Sequence, residues 1–220
     1  PTRGSYQVYG GDYEAFITKL AFSGVTVTSP NGGEEWGCGT THNITWAHTG
    51  PCSDRLAIIL KQNGKKIAVI AKNIDAASGS YTWRVGDCLK GTVTPGTGYK
   101  IIIGDKIYRT KDSSNASFSI KPVLRVTSPD GGENWQQGTT HDITWNAEGL
   151  TNNVIIILEQ NGTKVALIAK GIEPDRGFYS WTVGECRLGS VSAGTNYKIL
   201  IKEKDSTVHD RSNAAFTITE

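Results

Sequence analysis

The sequence predicts an all-β chain built as two consecutive sandwiches, and three observations carry that. Val, Ile, Thr, Tyr and Trp crowd into short alternating runs separated by turns rich in glycine, of which there are 26 in 220 residues. No window has a convincing helical period. The third observation is an internal repeat. Thr28-Ser29-Pro30-Asn31-Gly32-Gly33-Glu34-Glu35-Trp36 and Gly39-Thr40-Thr41-His42-Asn43-Ile44-Thr45-Trp46 return, 99 positions on, as Thr127-Ser128-Pro129-Asp130-Gly131-Gly132-Glu133-Asn134-Trp135 and Gly138-Thr139-Thr140-His141-Asp142-Ile143-Thr144-Trp145. A repeat this close means two copies of one module, each of about 95–100 residues and large enough to bury its own core.

The first module is expected over 25–121. Val25, Val27 and Thr28 open it as a strand, and Ser29 to Gly33 make a turn. From Thr40 to Trp46 the chain alternates, with His42, Ile44 and Trp46 on one face; Leu56, Ile58 and Leu60 alternate next. Gln62-Asn63-Gly64-Lys65 signals a hairpin, because Asn-Gly accepts the positive φ of a tight turn. Lys66 to Ala71 returns, followed by Tyr81, Trp83 and Val85, then Tyr99, Ile101 and Ile103, then Phe118 and Ile120. Seven short strands with regular turns fit an immunoglobulin-like sandwich. The second module, over 122–220, repeats the plan with Val154/Ile156/Leu158, the Asn161-Gly162 hairpin, Tyr179/Trp181/Val183, Tyr197/Ile199/Ile201 and Phe216/Ile218. One residue is lost after Trp145, so the offset drops to 98. The linker, Lys121-Pro122, is short enough to hold the modules semi-rigidly in line. The fold expected is thus two tandem immunoglobulin-like β-sandwiches preceded by an N-terminal extended strand, residues 1–24.

That N-terminal segment matches neither module. Gly10-Gly11-Asp12-Tyr13-Glu14-Ala15-Phe16-Ile17-Thr18-Lys19-Leu20 reads as a turn and one strand. It resembles the end of a blade in the surface β-propeller repeats of bacteria and archaea, with Glu14 in place of their usual Asp. A lone strand with open edges needs a partner, either the first module or a neighbouring molecule. The chain contains no methionine, so position 1 is expected to be a processed end or an excised start.

Residues 25–219 resemble, twice over, the Ser-Thr-rich, cell-wall-associated module first named from yeast cell-wall beta-glucan assembly proteins. Thr-Ser-Pro-x-Gly-Gly-Glu-x-Trp, Gly-Thr-Thr-His-x-Ile-Thr-Trp, Gly-x-Tyr-x-Trp-x-Val and the closing Phe-x-Ile carry the resemblance in both copies. It implies an extracellular immunoglobulin-like accessory domain without catalysis, and it transfers no ligand site. The four cysteines depart from the family, whose usual module lacks them.

The net charge of +2 is too small for an electrostatic grip on nucleic acid or a membrane surface. No apolar run approaches the ~18 residues that a membrane-spanning helix needs. The six tryptophans pair as Trp36/Trp135, Trp46/Trp145 and Trp83/Trp181. Trp46 and Trp83 run in phase with inward aliphatic residues and are expected in the core. Trp36 and Trp135 lie in turn-rich segments; capping the sandwich is the expectation, and exposed aromatic contacts to a sugar ring are the alternative. His42 and His141 read as boundary residues with satisfied rings, since no clustered ligands or nucleophile accompany them. Glu34 and Glu133 follow a Gly-Gly turn and are placed to cap backbone amides. Tyr99 and Tyr197 suit a corner hydrogen bond to backbone. Asp112-Ser113-Ser114-Asn115, and Asp205-Ser206 with Asp210, fit plain turns better than a calcium loop. Asn161, on the exposed hairpin, is the best glycosylation candidate, ahead of Asn115 and Asn43.

Four cysteines allow three pairings. In an immunoglobulin-like path Cys38 and Cys88 fall at the same end of the sandwich, so a bridge between them is geometrically sensible. Cys52 lies at the other end, and Cys186 has no partner in its own module. A Cys186–Cys52 bridge between molecules would join chains head to tail; reduced thiols, or a local Cys38–Cys52 bridge, are the alternatives. The function expected is a non-catalytic extracellular structural or adhesive surface protein, with no cofactor and no metal, joined to copies of itself or other cell-surface proteins in a filament or coat. The alternative is a polysaccharide-binding accessory module of a secreted enzyme.

Overall fold

The computed structural model describes residues 24–50, 55–107 and 109–220. Residues 1–23, which carry the extended-strand and blade-end expectations, lie outside the described residues, as does Cys52. The first module comprises β1 (Gly24–Ser29), β2 (Glu35–Gly37), β3 (Thr41–Thr49), β4 (Leu56–Gln62), β5 (Lys65–Ile74), β6 (Ser80–Arg84), β7 (Lys90–Gly91), β8 (Gly96–Asp105), β9 (Lys111–Ser113) and β10 (Phe118–Lys121). The second comprises β11 (Val123–Ser128), β12 (Asn134–Gln136), β13 (Thr140–Glu148), β14 (Val154–Gln160), β15 (Thr163–Ile172), β16 (Phe178–Thr182), β17 (Leu188–Gly189), β18 (Gly194–Glu203), β19 (His209–Arg211) and β20 (Phe216–Thr219). Each is an immunoglobulin-like sandwich.

A three-stranded sheet in the order β1-β3-β6 faces a larger one in the order β2-β10-β8-β4-β5-β7, with β9 added on β8. The second module repeats both sheets as β11-β13-β16 and β12-β20-β18-β14-β15-β17, with β19 on β18. All pairings are antiparallel except β2 with β10 and β12 with β20. The long strands are those the alternation predicts. The additional ones, β2, β7 and β9 with their counterparts, are two or three residues long. So short a strand shows no period, and only its neighbour makes it one.

The cores follow from the alternation. Leu56, Ile58, Leu60, Ile101 and Ile103 point into the gap between sheets, as do Val154, Ile156, Leu158, Ile199 and Ile201. All six tryptophans are buried. A buried indole N–H needs an acceptor. Trp46 Nε1 donates to Ala76 O (2.9 Å) and Trp83 Nε1 to Asp87 O (2.7 Å), and Trp145 and Trp181 repeat this with Pro174 O and Glu185 O. Tyr99 Oη donates to Thr94 O at 2.6 Å and Tyr197 Oη to Ser192 O at 2.8 Å, the corner bonds expected of them. At the hairpin between β4 and β5, Asn63 and Gly64 take φ of 48° and 81°.

A polar device ties the two sheets together. β1 is an edge strand, and Val27 lies opposite Trp46, whose own N–H donates to Gly79 O on the far side, so the Val27 N–H points off the open edge of the sheet. Asp112 of β9 supplies a partner: its Oδ2 accepts from Val27 N at 2.8 Å. Asp210 does the same for Val126 N at 2.8 Å. Two residues on, Ser114 and Ser212 are buried and accept from Ile101 N and Ile199 N. These loop oxygens therefore serve the backbone.

Candidate functional site

Trp36 and Trp135 are each 6% exposed, so the alternative of exposed aromatic contacts at these positions is corrected. Each lies on a short strand paired with the last strand of its module, which turns the ring inward against Phe118 or Phe216. The imidazole of His42 stacks on Trp36 with ring centroids 4.6 Å apart and planes 6° apart; His141 covers Trp135 at 4.6 Å and 3°. Thr40 Oγ1 and Thr139 Oγ1 hydrogen-bond the Nε2 of these histidines. The repeated Gly-Thr-Thr-His is therefore a lid on a tryptophan.

Glu34 caps the turn before β2, its two oxygens accepting from Asn31 N (2.6 Å) and Gly32 N (2.8 Å). Burial pushes its carboxyl pKa up, but hydrogen bonds from the backbone amides, Asn31 first, outweigh this and hold it below the ordinary value. Glu133 repeats the geometry with Asp130 N and Gly131 N. The three glycosylation candidates are exposed but differ in setting. Asn43 sits in β3 and accepts from Thr82 Oγ1, Asn115 lies in the loop before β10, and Asn161 on the hairpin accepts from Asn196 Nδ2. Among the described residues no group of three or more His, Cys, Asp or Glu is placed to hold a metal ion.

The three described cysteines are found as thiols. Cys38, Cys88 and Cys186 are each free, so the Cys38–Cys88 bridge is not formed. Cys88 Sγ donates to Gly91 O and Cys186 Sγ to Gly189 O, both at 3.3 Å, within their own turns. Cys38 is buried where the modules meet. Burial pushes its thiol pKa up, the Glu148 carboxylate adds to that, and Arg84 opposes it only in part. A thiol held protonated is a poor nucleophile and is slow to oxidise.

That meeting place is the most specific feature of the chain. Three glycines line it, and a β-carbon on any of them would force a neighbour to shift. A Cβ on Gly37 would lie 2.6 Å from Val123 Cγ2, one on Gly39 2.8 Å from Glu148 Cγ, and one on Gly149 2.7 Å from Pro95 Cγ and 2.8 Å from Cys38 Sγ. Gly39 and Gly149 also take positive φ, which a β-carbon disfavours. Arg84 on β6 closes the joint with an ion pair to Glu148 on β13, Nη2 to Oε1 at 2.5 Å. A cleft of about 440 Å³ runs beside it, lined by Cys38, Arg84, Trp145, Glu148 and Pro174. Sequence reasoning missed the joint, although the signal was there. Gly37-Cys38 correspond to Gln136-Gln137 in the second module, where Gln137 Nε2 folds back onto Val191 O at 3.1 Å. Arg84 corresponds to Thr182, and Glu148 to Thr49.

The Kre9/KNH-like N-terminal Ig-like domain matches twice, at residues 29–120 and 128–218. The chain belongs to this family. Both Kre9/KNH-like matches fall on the sandwiches described above. No curated protein matches the chain. Among solved structures, the chain is similar to the fibronectin(III)-like modules of Clostridium thermocellum CbhA, at 15% identity over 89% of this chain and 94% of that one, TM-score 0.29. It is also similar to the N-terminal four Ig domains of Dscam1 isoform 1.9, at 12% identity over 91% of this chain and 46% of that one, TM-score 0.29. A chimeric titin Z1Z2-Z1Z2 tandem gives 12% identity over 91% and 98%, TM-score 0.27.

Proposed function

We propose that the chain is a non-catalytic, extracellular, cell-wall-associated element that acts mechanically, as a stiff two-module strut. The joint carries this reading. Three glycines on which a β-carbon would collide with a neighbour, the Arg84–Glu148 pair and the single residue, Pro122, between β10 and β11 together restrict how the modules can turn. Ends held at a fixed angle can space or display whatever is attached to them. In a coat or filament the connections to neighbours come from residues 1–24 donated as a strand, or from a bridge between Cys186 and Cys52 of the next molecule. Nuclear magnetic relaxation and residual dipolar couplings test the strut. The two modules should tumble as one body, and Gly149→Val, which drives a side chain into Pro95 and Cys38, should release them. Independent tumbling of the unmodified chain would refute it. For the connections, non-reducing electrophoresis should give a ladder that collapses on reduction.

A further inference from the structure

The two modules differ most tellingly on the outer face of the larger sheet, beside the Asn-Gly hairpin. In the first module Lys61 of β4 stands directly opposite Lys66 of β5 on one side and Lys100 of β8 on the other. Three ammonium groups thus form one row across three adjacent strands. Like charges directly opposite across a sheet are destabilising. In the second module the corresponding row is Lys164, Glu159 and Lys198. There the central position is a carboxylate, almost wholly buried, that accepts from Arg211 Nε at 2.9 Å. The second module therefore carries its own anion where the first carries a cation.

Three more exchanges separate the modules, two giving the first module a small residue where the second has a long one and the third giving it an added hydroxyl. Arg211 corresponds to Ser113, Asn196 to Gly98, and Ala215 to Ser117. In the second module the arginine lies over the sheet and Asn196 Nδ2 holds Asn161 Oδ1 at 3.0 Å, so the surface is filled. In the first, the small residues leave a pocket of about 420 Å³ lined by Lys61, Asn63, Lys100, Ile102, Ser113 and Ser117 with the hairpin glycines. That volume lies in the range of small-ligand pockets, about 300–1,000 Å³. Its lining joins two cations, two hydroxyls, one amide and an apolar side chain, with no carboxylate. Lys100 Nζ donates to Asn115 O, which steadies one of the cations.

We propose that this pocket binds an anionic saccharide, a uronic acid residue of an acidic polysaccharide. The sugar carboxylate takes the electrostatic part that Glu159 plays in the second module and relieves the repulsion along the lysine row. Ser113, Ser117 and Asn63 meet the ring hydroxyls, and Ile102 offers an apolar surface to the ring. The site belongs to the first module alone and is independent of the strut.

The test is titration of the whole chain with trigalacturonate at physiological salt, followed by calorimetry and by amide shifts. Saturable binding should perturb Lys61, Lys100, Ser113 and Ser117 and leave the second module unmoved. The double variant K61E/S113R writes the second module's ion pair into the same frame, so the fold should hold, and affinity should drop at least tenfold. K61E alone gives a second reading of the same loss. K65E, on the hairpin but outside the row, should change affinity less than twofold. Unchanged binding in the lysine-row variants, equal loss in K65E, or equal binding of a neutral maltotriose would overturn the proposal. Inorganic phosphate binding as tightly as the trisaccharide would overturn the saccharide assignment.

Discussion

Replacing Asp112 with alanine tests whether one carboxylate holds the two sheets of a module in register. Its Oδ2 accepts from Val27 N at 2.8 Å, where that amide points off the open edge of β1, away from β3. Val27 is 2% exposed, so water does not readily replace the lost acceptor. A buried N–H left without a partner costs about 1–3 kcal/mol, and a hydrogen bond to a charged group contributes about 1.5–3. The expected loss is about 2 kcal/mol. With a urea dependence of about 2 kcal/mol/M, typical of a domain this size, the midpoint should fall by about 1 M. The indole signals of Trp83 and Trp181 report each module separately, so the shift should appear at Trp83 alone. Asp112→Asn keeps an oxygen acceptor and should lose roughly half as much. Asp210→Ala should move the shift to Trp181. A midpoint within about 0.2 M of the unmodified protein, or equal shifts in both modules, would show that the bond does not act as described.

Two further outcomes follow from the geometry. Glu34 has a folded-state pKa held below its ordinary value by backbone amides, so its contribution is present above the unfolded carboxylate pKa and is lost as pH falls through the lowered one. Glu34→Gln should therefore flatten the acid limb of the first module's stability profile, measured by urea midpoints between about pH 5 and 2, and leave the neutral limb parallel. Cys38, buried at the joint with its thiol pKa raised, should react with iodoacetamide at least tenfold more slowly than Cys88, counted by peptide mass mapping; labelling at equal rates would mean that the joint opens freely.

Much of this architecture was legible in the residues because strand burial has a period of two. Ile44, Trp46, Trp83 and Ile101 announce their inward face from spacing alone, and the duplication doubles the signal. Tyr99 and Glu34 were legible too, since their partners lie within a few residues along the chain. What escaped depends on contacts distant in sequence. Trp36 looked like a turn residue because its strand, three residues long, exists only by pairing with β10. Asp112 resembled loop decoration because the amide it serves is 85 residues away. The cysteines misled for a similar reason: being at one end of a sandwich does not bring two sulfurs together when one faces the neighbouring module. The lysine row needs strand register before its three charges are seen to be neighbours.

Duplication made the two halves alike in core and outline but not in how they mate. Of the groups that seat one module on the other, Gly37, the thiol and the ion pair have no equivalents at the opposite faces, where Gln136, Gln137, Thr182 and Thr49 stand instead, while Gly39 and Gly149 recur as Gly138 and Gly50. A lock has been cut into one copy and its key into the other. Reversing their order along the chain would put lock and key at opposite extremities.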